Sequence, residues 1–308
     1  MTLIAVSGTS GFLGRHLCRE LDSRAHQVRG VSRAQLSSQS LAAMLDGVET
    51  FIHLAARAHV LADASEDPSA EFRAANVVLT QSAALAARQA GVKRFVFVSS
   101  AGVLGATSPR EGFREDSVPH PHDAYTASKW QAEEWLDCEI APHMEVAILR
   151  PPLIYGPGAK GNLIRLLRLA LRGWPLPIGA LRAPRSLVAA RNVVDLLCLL
   201  AGDPRTVRGT MLVADRETIS VAGLYRTMAR HAGHRPWLAP VPPALIKVAL
   251  NLTGRGRDIT RLTGPFVLLP QAAEAQLQWT PPYSQDAELR RTALYELQSL
   301  GGRSGMVS

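Results

Sequence analysis

A tyrosine and a lysine four residues apart, in Tyr125-Thr126-Ala127-Ser128-Lys129, are the residues of this chain best suited to proton chemistry. They open a stretch, Thr126 to Cys138, whose pattern reads as a helix, and one helical turn puts the phenol and the ammonium on the same face. An ammonium in that position favours the phenolate, lowers the phenol pKa and suits Tyr125 to give or take the proton of a substrate hydroxyl. Taken alone, such a spacing is also that of an ordinary surface pair. A second feature supports the chemical reading. The run Arg94-Phe95-Val96-Phe97-Val98-Ser99-Ser100 is a strand ending in two hydroxyls, and Ser100 is the candidate for orienting a substrate oxygen beside Tyr125.

A phosphate cradle stands near the N-terminus. Gly8-Thr9-Ser10-Gly11-Phe12-Leu13-Gly14 follows an apolar strand and precedes the helical Arg15-His16-Leu17-Cys18-Arg19-Glu20-Leu21. Glycines there permit a tight turn, let backbone amides approach a pyrophosphate and let the helix pack closely on the strand. The strand before and the helix after lift the pattern above a plain turn and predict a dinucleotide, and a nicotinamide would take or give a hydride while Tyr125 gives or takes the proton. The second strand ends in Val31-Ser32-Arg33, where the adenosine ribose is read. An acidic residue would hold a ribose 2′-hydroxyl, whereas Arg33 could accept a 2′-phosphate, so the expectation tilts from NAD towards NADP(H); a surface arginine stacked on adenine is the alternative.

Positioning these groups takes a parallel sheet. β-rich runs at Leu3–Ser7, Gln27–Ser32, Thr50–Leu54, Arg94–Ser99 and Val146–Leu149 alternate with amphipathic stretches at Gly14–Ser23, Asn76–Ala90 and Thr126–Cys138. That alternation predicts an α/β, Rossmann-type doubly wound sheet, with residues 1–155 as the dinucleotide-binding domain and a return near 186–202. From about Gly156 the pattern turns helical and loop-rich with Pro-rich punctuation, and predicts a smaller C-terminal substrate-binding lobe, 156–308, over the carboxyl edge. The tail from Gly301 to Gly305 is small and polar and is expected to fray.

These motifs, together with His53-Leu54-Ala55-Ala56, Asn76, Val98–Gly105 and Arg150-Pro151-Pro152-Leu153-Ile154-Tyr155-Gly156-Pro157-Gly158, resemble the NAD-dependent epimerase/dehydratase family of extended short-chain dehydrogenases/reductases, in the family's order and over essentially the whole chain. Within it the likeness is to UDP-galactose 4-epimerase-like proteins, including UDP-N-acetylglucosamine 4-epimerases and 4-keto-6-deoxysugar reductases that form UDP-N-acetylquinovosamine. The resemblance implies a UDP-sugar as substrate and redox at its C4, as epimerase or as reductase. It places Leu54, Ala55, Ala56, Ser99 and Pro152 on the cofactor with Tyr125 and Lys129. It also places Asn162 on the nucleotide, Arg185 as a diphosphate clamp, and Arg257 or Arg261 as a second one. A non-catalytic NADP-binding sensor or scaffold of the same fold is the other class, and such proteins typically lose the tyrosine or the lysine that this chain keeps.

The chain also departs from that pattern. The stretch between Arg33 and Thr50 barely accommodates a helix and lacks a strand common in the family, which would open the adenine side of the cofactor pocket. Ala101 and Gly102 replace the acidic pair of dehydratases, which argues against water loss, and Leu153 replaces a sugar-contacting asparagine.

The bulk properties bound the reading. In 308 residues, 47% hydrophobic and 19% charged, a large core can be buried. A formal charge of +8 favours anionic partners, but the basic residues are dispersed beside aliphatic ones, so solvated helix faces are expected rather than a nucleic-acid stripe. Cys18, Cys138 and Cys198 are far apart and odd in number, against a disulfide framework or zinc site and in keeping with a reducing cytoplasm. His53 and His59 lack companions at metal spacing, and no membrane anchor is visible. Trp130 and Trp135 beside Lys129 suit either a homodimer through two helices, as in relatives, or core packing.

Overall fold

Along the first strand Ile4 and Val6 turn one way and Ala5 the other, and all three are fully buried, so the sheet must be covered on both faces. A computed structural model shows how; it describes residues 2–57, 67–252 and 263–304. Strands β1 (Leu3–Ser7), β2 (Gln27–Val31), β3 (Thr50–His53), β4 (Arg94–Val98), β5 (Glu145–Arg150) and β8 (Gly209–Leu212) form one parallel sheet in the order β2-β1-β3-β4-β5-β8. On one face α1 (Phe12–Ser23) and α8 (Ala190–Gly202) bring Leu17, Leu21, Val193, Leu196 and Leu200 onto Ile4, Val6, Ile52 and Val96. On the other, α5 (Leu79–Gln89) and α6 (Ala124–Glu139) bring Ala83, Ala87, Ala132 and Leu136 onto Ala5, Phe51, Phe95 and Phe97. Each fully buried Leu, Val or Phe contributes roughly 1.5–3 kcal/mol, so neither layer can be removed without loss of the fold. This is the Rossmann-type doubly wound α/β sheet expected of the sequence.

Several local expectations change. Two one-turn helices, α2 (Arg33–Leu36) and α3 (Leu41–Met44), fit between β2 and β3, where the sequence left barely room for one. Among the described residues no further strand pairs outside β2, which stands at the sheet edge. Beyond Gly156 the chain is not only helical: β6 (Leu153–Tyr155), β7 (Arg185–Ala189) and β9 (Thr218–Ile219) form a second sheet, and β8 rejoins the main one. These strands are two to five residues long, too short for their alternation to stand out. The C-terminal helix runs from Gln285 to Ser304, so the expected fraying of the tail is replaced by helix up to that residue. Gly305, His59, Arg257 and Arg261 lie outside the described residues. A buried knot ties the second sheet to the first: Asp215 accepts from the Tyr155 hydroxyl at 2.8 Å, the Ala189 amide at 3.0 Å and Asn192 at 2.7 Å.

His53 ends β3 in full burial. Its Nδ1 lies 2.9 Å from the Ser7 hydroxyl and its Nε2 3.2 Å from that of Thr80. Thr80 already donates to the Asn76 carbonyl, so it accepts from Nε2–H, and Ser7 donates to Nδ1. The imidazole is thus a structural, neutral crosslink. Burial first, and the charge of Lys129 second, push its pKa down to about 3. Between pH 6.5 and about 3 the unfolded chain binds a proton at this site that the folded chain refuses, so stability falls with acid by about 1.4 kcal/mol per pH unit within that window. Urea unfolding as a function of pH should show a shallower acid limb for His53→Gln than for the parent. Parallel limbs would contradict a neutral His53.

Candidate active site

The glycine loop is built by contact. Gly8 has φ +74°, and a Cβ on it would lie 2.9 Å from the Ala55 amide nitrogen. A Cβ on Gly14 would lie 2.1 Å from the Gly8 carbonyl oxygen, so the first turn of α1 packs on the loop with no room for a side chain. The Gly11 amide closes the turn onto the Gly8 carbonyl at 2.9 Å, and the Ser7 hydroxyl accepts from the Ala55 amide at 3.2 Å. Gly11 caps α1 with backbone alone, which leaves the first amides of the helix unclaimed by a side chain. This cradle fits a dinucleotide pyrophosphate: backbone donors at a helix N-terminus, with close approach kept open by glycine. Phe12 packs against Gly156, where a Cβ would be 3.5 Å from its ring, and Leu13 against the core. Ser10 is exposed at the loop's tip, and Arg33 is exposed just past the end of β2.

Helix α6 begins where the sequence demands. Asp123 accepts from the Thr126 amide at 2.7 Å while the Thr126 hydroxyl accepts from the Asp123 amide at 3.2 Å, a reciprocal cap. It carries Tyr125, Lys129 and Glu133, one per turn, towards the carboxyl end of β4. Tyr125 is half-buried, its ring 6.0 Å from that of Phe72, and the Ser100 hydroxyl, which accepts from the Gly102 amide at 3.1 Å, stands near enough to its phenol to favour the phenolate. Lys129, 1% exposed, donates to the Val98 carbonyl at 2.9 Å and stands 4.4 Å from the centre of the Phe97 ring. Burial pulls its pKa down to about 7 against the opposing charge of Glu133. The phenol differs from the sequence expectation. Burial and the Asp123 charge push it up to about 12, with the Ser100 hydrogen bond opposing. Lys129 is engaged with Val98 and is itself partly discharged near neutrality, so its charge does not dominate.

Glu133 is the residue that sequence reasoning missed, although it repeats the four-residue spacing of Tyr125 and Lys129. It is fully buried and pairs through two oxygens with Arg150, the shortest contact being 2.6 Å. Burial raises its pKa while Arg150 opposes. Arg150 also lies over the Trp130 ring at 5.6 Å, and Trp135 packs against the core. Asn76 is a positioning residue. It sits in a π-helical turn, Ala74–Val78, accepts from the Arg57 amide at 2.8 Å and donates to the Ser128 hydroxyl at 2.9 Å, tying the segment after β3 to the catalytic helix.

The structure therefore gathers Gly8–Gly14, Leu54–Ala56, Ser99, Ser100, Tyr125, Lys129 and Pro152 along the carboxyl ends of β1, β3, β4 and β5. Asn162 and Arg185 belong to elements outside the main sheet. Asn162 is exposed in the first turn of α7 (Asn162–Leu171), and Arg185 on β7 donates to the Gly264 carbonyl at 2.8 Å and lies over Phe266. All three cysteines are free. Among the described residues no cluster of three His, Cys, Asp or Glu could hold a metal, and no helix is long and apolar enough to cross a membrane.

Comparison with known proteins bears on the same site. Residues 4–214 match the model of the NAD dependent epimerase/dehydratase family. The chain is 32% identical to the UDP-glucose 4-epimerase of Vibrio cholerae, with 96% of each chain covered. It superposes on MoeE5 in complex with UDP-glucose and NAD with a TM-score of 0.75 at 25% identity, covering 96% of this chain and 99% of the other. The UDP-glucose 4-epimerase of Thermotoga maritima shares the fold, with a TM-score of 0.78 at 21% identity over 97% of this chain and all of that one.

Two variants probe the geometry. Gly14→Ala puts a methyl group on the Gly8 carbonyl and should abolish cofactor binding, measured by titration calorimetry; unchanged affinity would contradict the cradle. Glu133→Gln removes the charge that holds Lys129 protonated, so the lysine loses its proton at lower pH. The alkaline limb of the rate profile should move acidwards by about one pH unit. A limb that stays in place would show that Glu133 does not set the charge of Lys129.

Proposed function

The chain belongs to the NAD dependent epimerase/dehydratase family, and on that footing we propose that it is a UDP-hexose 4-epimerase, with a UDP-N-acetylhexose as substrate. The observation that carries this reading is the meeting of a proton-transfer pair, Tyr125 and Ser100, with a dinucleotide cradle at one sheet edge. Nicotinamide, when bound, supplies the hydride acceptor and donor. The backbone amides of the Gly8–Gly14 loop hold the pyrophosphate. Tyr125 takes the proton from the C4 hydroxyl oxygen and returns it when the hydride comes back to the other face of C4. Ser100 orients that oxygen, and Lys129, when protonated, supplies the positive charge that makes the phenolate accessible. In this reading residues 156–308, apart from α8 and β8, form the substrate lobe, in which Asn162 contacts the nucleotide and Arg185 clamps the diphosphate.

A second reading, a 4-ketoreductase that uses NADPH once and releases it, has its own support. Arg33 stands exposed beside the edge strand β2, where a 2′-phosphate would lie, and the open edge suits an exchangeable cofactor. A phenol pushed up to about 12 rests protonated, ready to donate to a carbonyl oxygen. The non-catalytic reading loses ground because Tyr125 and Lys129 are both present and placed on one helix.

Purified protein incubated with UDP-N-acetylglucosamine and no added cofactor should form the C4 epimer, and denaturation should release NAD+. An empty protein that oxidises NADPH only with a 4-keto-6-deoxy sugar would replace the first reading by the second. Tyr125→Phe should slow turnover by about 10²–10⁴-fold with cofactor affinity unchanged. Equal rates would remove Tyr125 from the chemistry.

A further inference from the structure

Charge is distributed unevenly along this chain. Residues 156–194 and 218–252 together carry eleven Lys and Arg and no Asp or Glu, while the rest of the chain has 23 basic against 26 acidic residues. The fold brings these two segments together. Helix α7 packs on α9 (Val221–His231), and the chains leaving them pair through a bridge between Leu176 and Leu238, with the Ala239 amide donating to the Leu176 carbonyl at 3.0 Å. The bridge sets Trp174 and Trp237 on neighbouring segments. They are 57% and 66% exposed and are the exposed tryptophans among the five of the chain. In the same segment Leu245 and Val248, 60% and 57% exposed, lie three residues apart on α10 (Pro243–Leu252). Arg165 and the C-cap Arg172 lie seven residues apart along α7, Arg235 precedes Trp237 by two residues, and Arg182 lies in the same basic stretch. All four are exposed and form no ion pair among the described residues.

We propose that this basic lobe, with its exposed Trp174, Trp237, Leu245 and Val248, docks the enzyme on an anionic lipid bilayer. Amphipathic indoles suit the boundary between headgroups and acyl chains, and arginines near such a surface are attracted to its anionic headgroups. Other occupants fit worse. A second copy placed face to face would oppose two strongly basic surfaces, and a nucleic-acid backbone offers nothing for Leu245 and Val248 to bury against. The inference is independent of which sugar the active site takes.

Vesicle flotation tests it with the full-length protein. The protein should float with phosphatidylcholine vesicles containing about one third phosphatidylglycerol, and remain at the bottom with phosphatidylcholine alone. Trp174→Ser combined with Trp237→Ser should cut the bound fraction by roughly tenfold while turnover on a soluble substrate stays unchanged. Should that variant misfold, Arg172→Glu with Arg235→Glu removes the charge term instead and should have a similar effect. A parent protein that fails to float with anionic vesicles overturns the proposal, as does undiminished flotation of both variants. So does a dimer that the tryptophan variant splits while lipid has no effect.

Discussion

The buried ammonium of Lys129 is the constraint around which the site is arranged. Taking a lysine charge out of water costs several kcal/mol, and only close partners make it tolerable. Here they come from two directions: the Val98 carbonyl and the Phe97 ring from β4, and the Glu133 carboxylate from one turn further along α6. Glu133 is itself buried and needs Arg150 from the end of β5. One charge thus fixes the register of α6 against two strands, and with it the position of Tyr125 over the end of β4. The lysine's own pKa, drawn to about 7, is the result of the same balance.

The second constraint is topological. The strand order reverses between β1 and β3, and helices leaving those strands depart to opposite faces, which opens a crevice at the carboxyl edge. The glycine loop and Leu54–Ala56 form the two sides of that crevice and approach so closely that Gly8 has no room for a Cβ. Asn76 and His53 hold the β3 side from behind, through Arg57, Ser128, Ser7 and Thr80. A cofactor cradle and a proton-transfer residue meet because sheet topology places them on the same edge, although 111 residues separate Gly14 from Tyr125.

Much of this was legible in the sequence because it rests on local signals. The five strands of the first half are apolar runs bounded by turns, and α6 shows in the pattern of Thr126 to Cys138 and in the residues it carries, although its Asp123 cap went unread. The glycine loop was legible because the need for close approach leaves only one residue type. What the sequence hid depends on distant contacts. Strand β8 is four residues beginning at a glycine with φ +83° and is a strand only because β5 offers it an edge. The raised phenol pKa follows from burial and from the direction in which Lys129 points, neither of which spacing reveals. Glu133 repeats a visible spacing, but its role appears only when Arg150, seventeen residues on, is brought against it.

The chain has four lysines, Lys93, Lys129, Lys160 and Lys247, which makes the charge state of one of them directly observable. Carbon-13 labelling of the lysine ε-methylene and titration by NMR would follow each resonance separately. One of the four should titrate near pH 7 and vanish in Lys129→Arg. If the Lys129 resonance instead titrates near 10.4, burial does not govern Lys129, and the arrangement of the site around its ammonium is wrong.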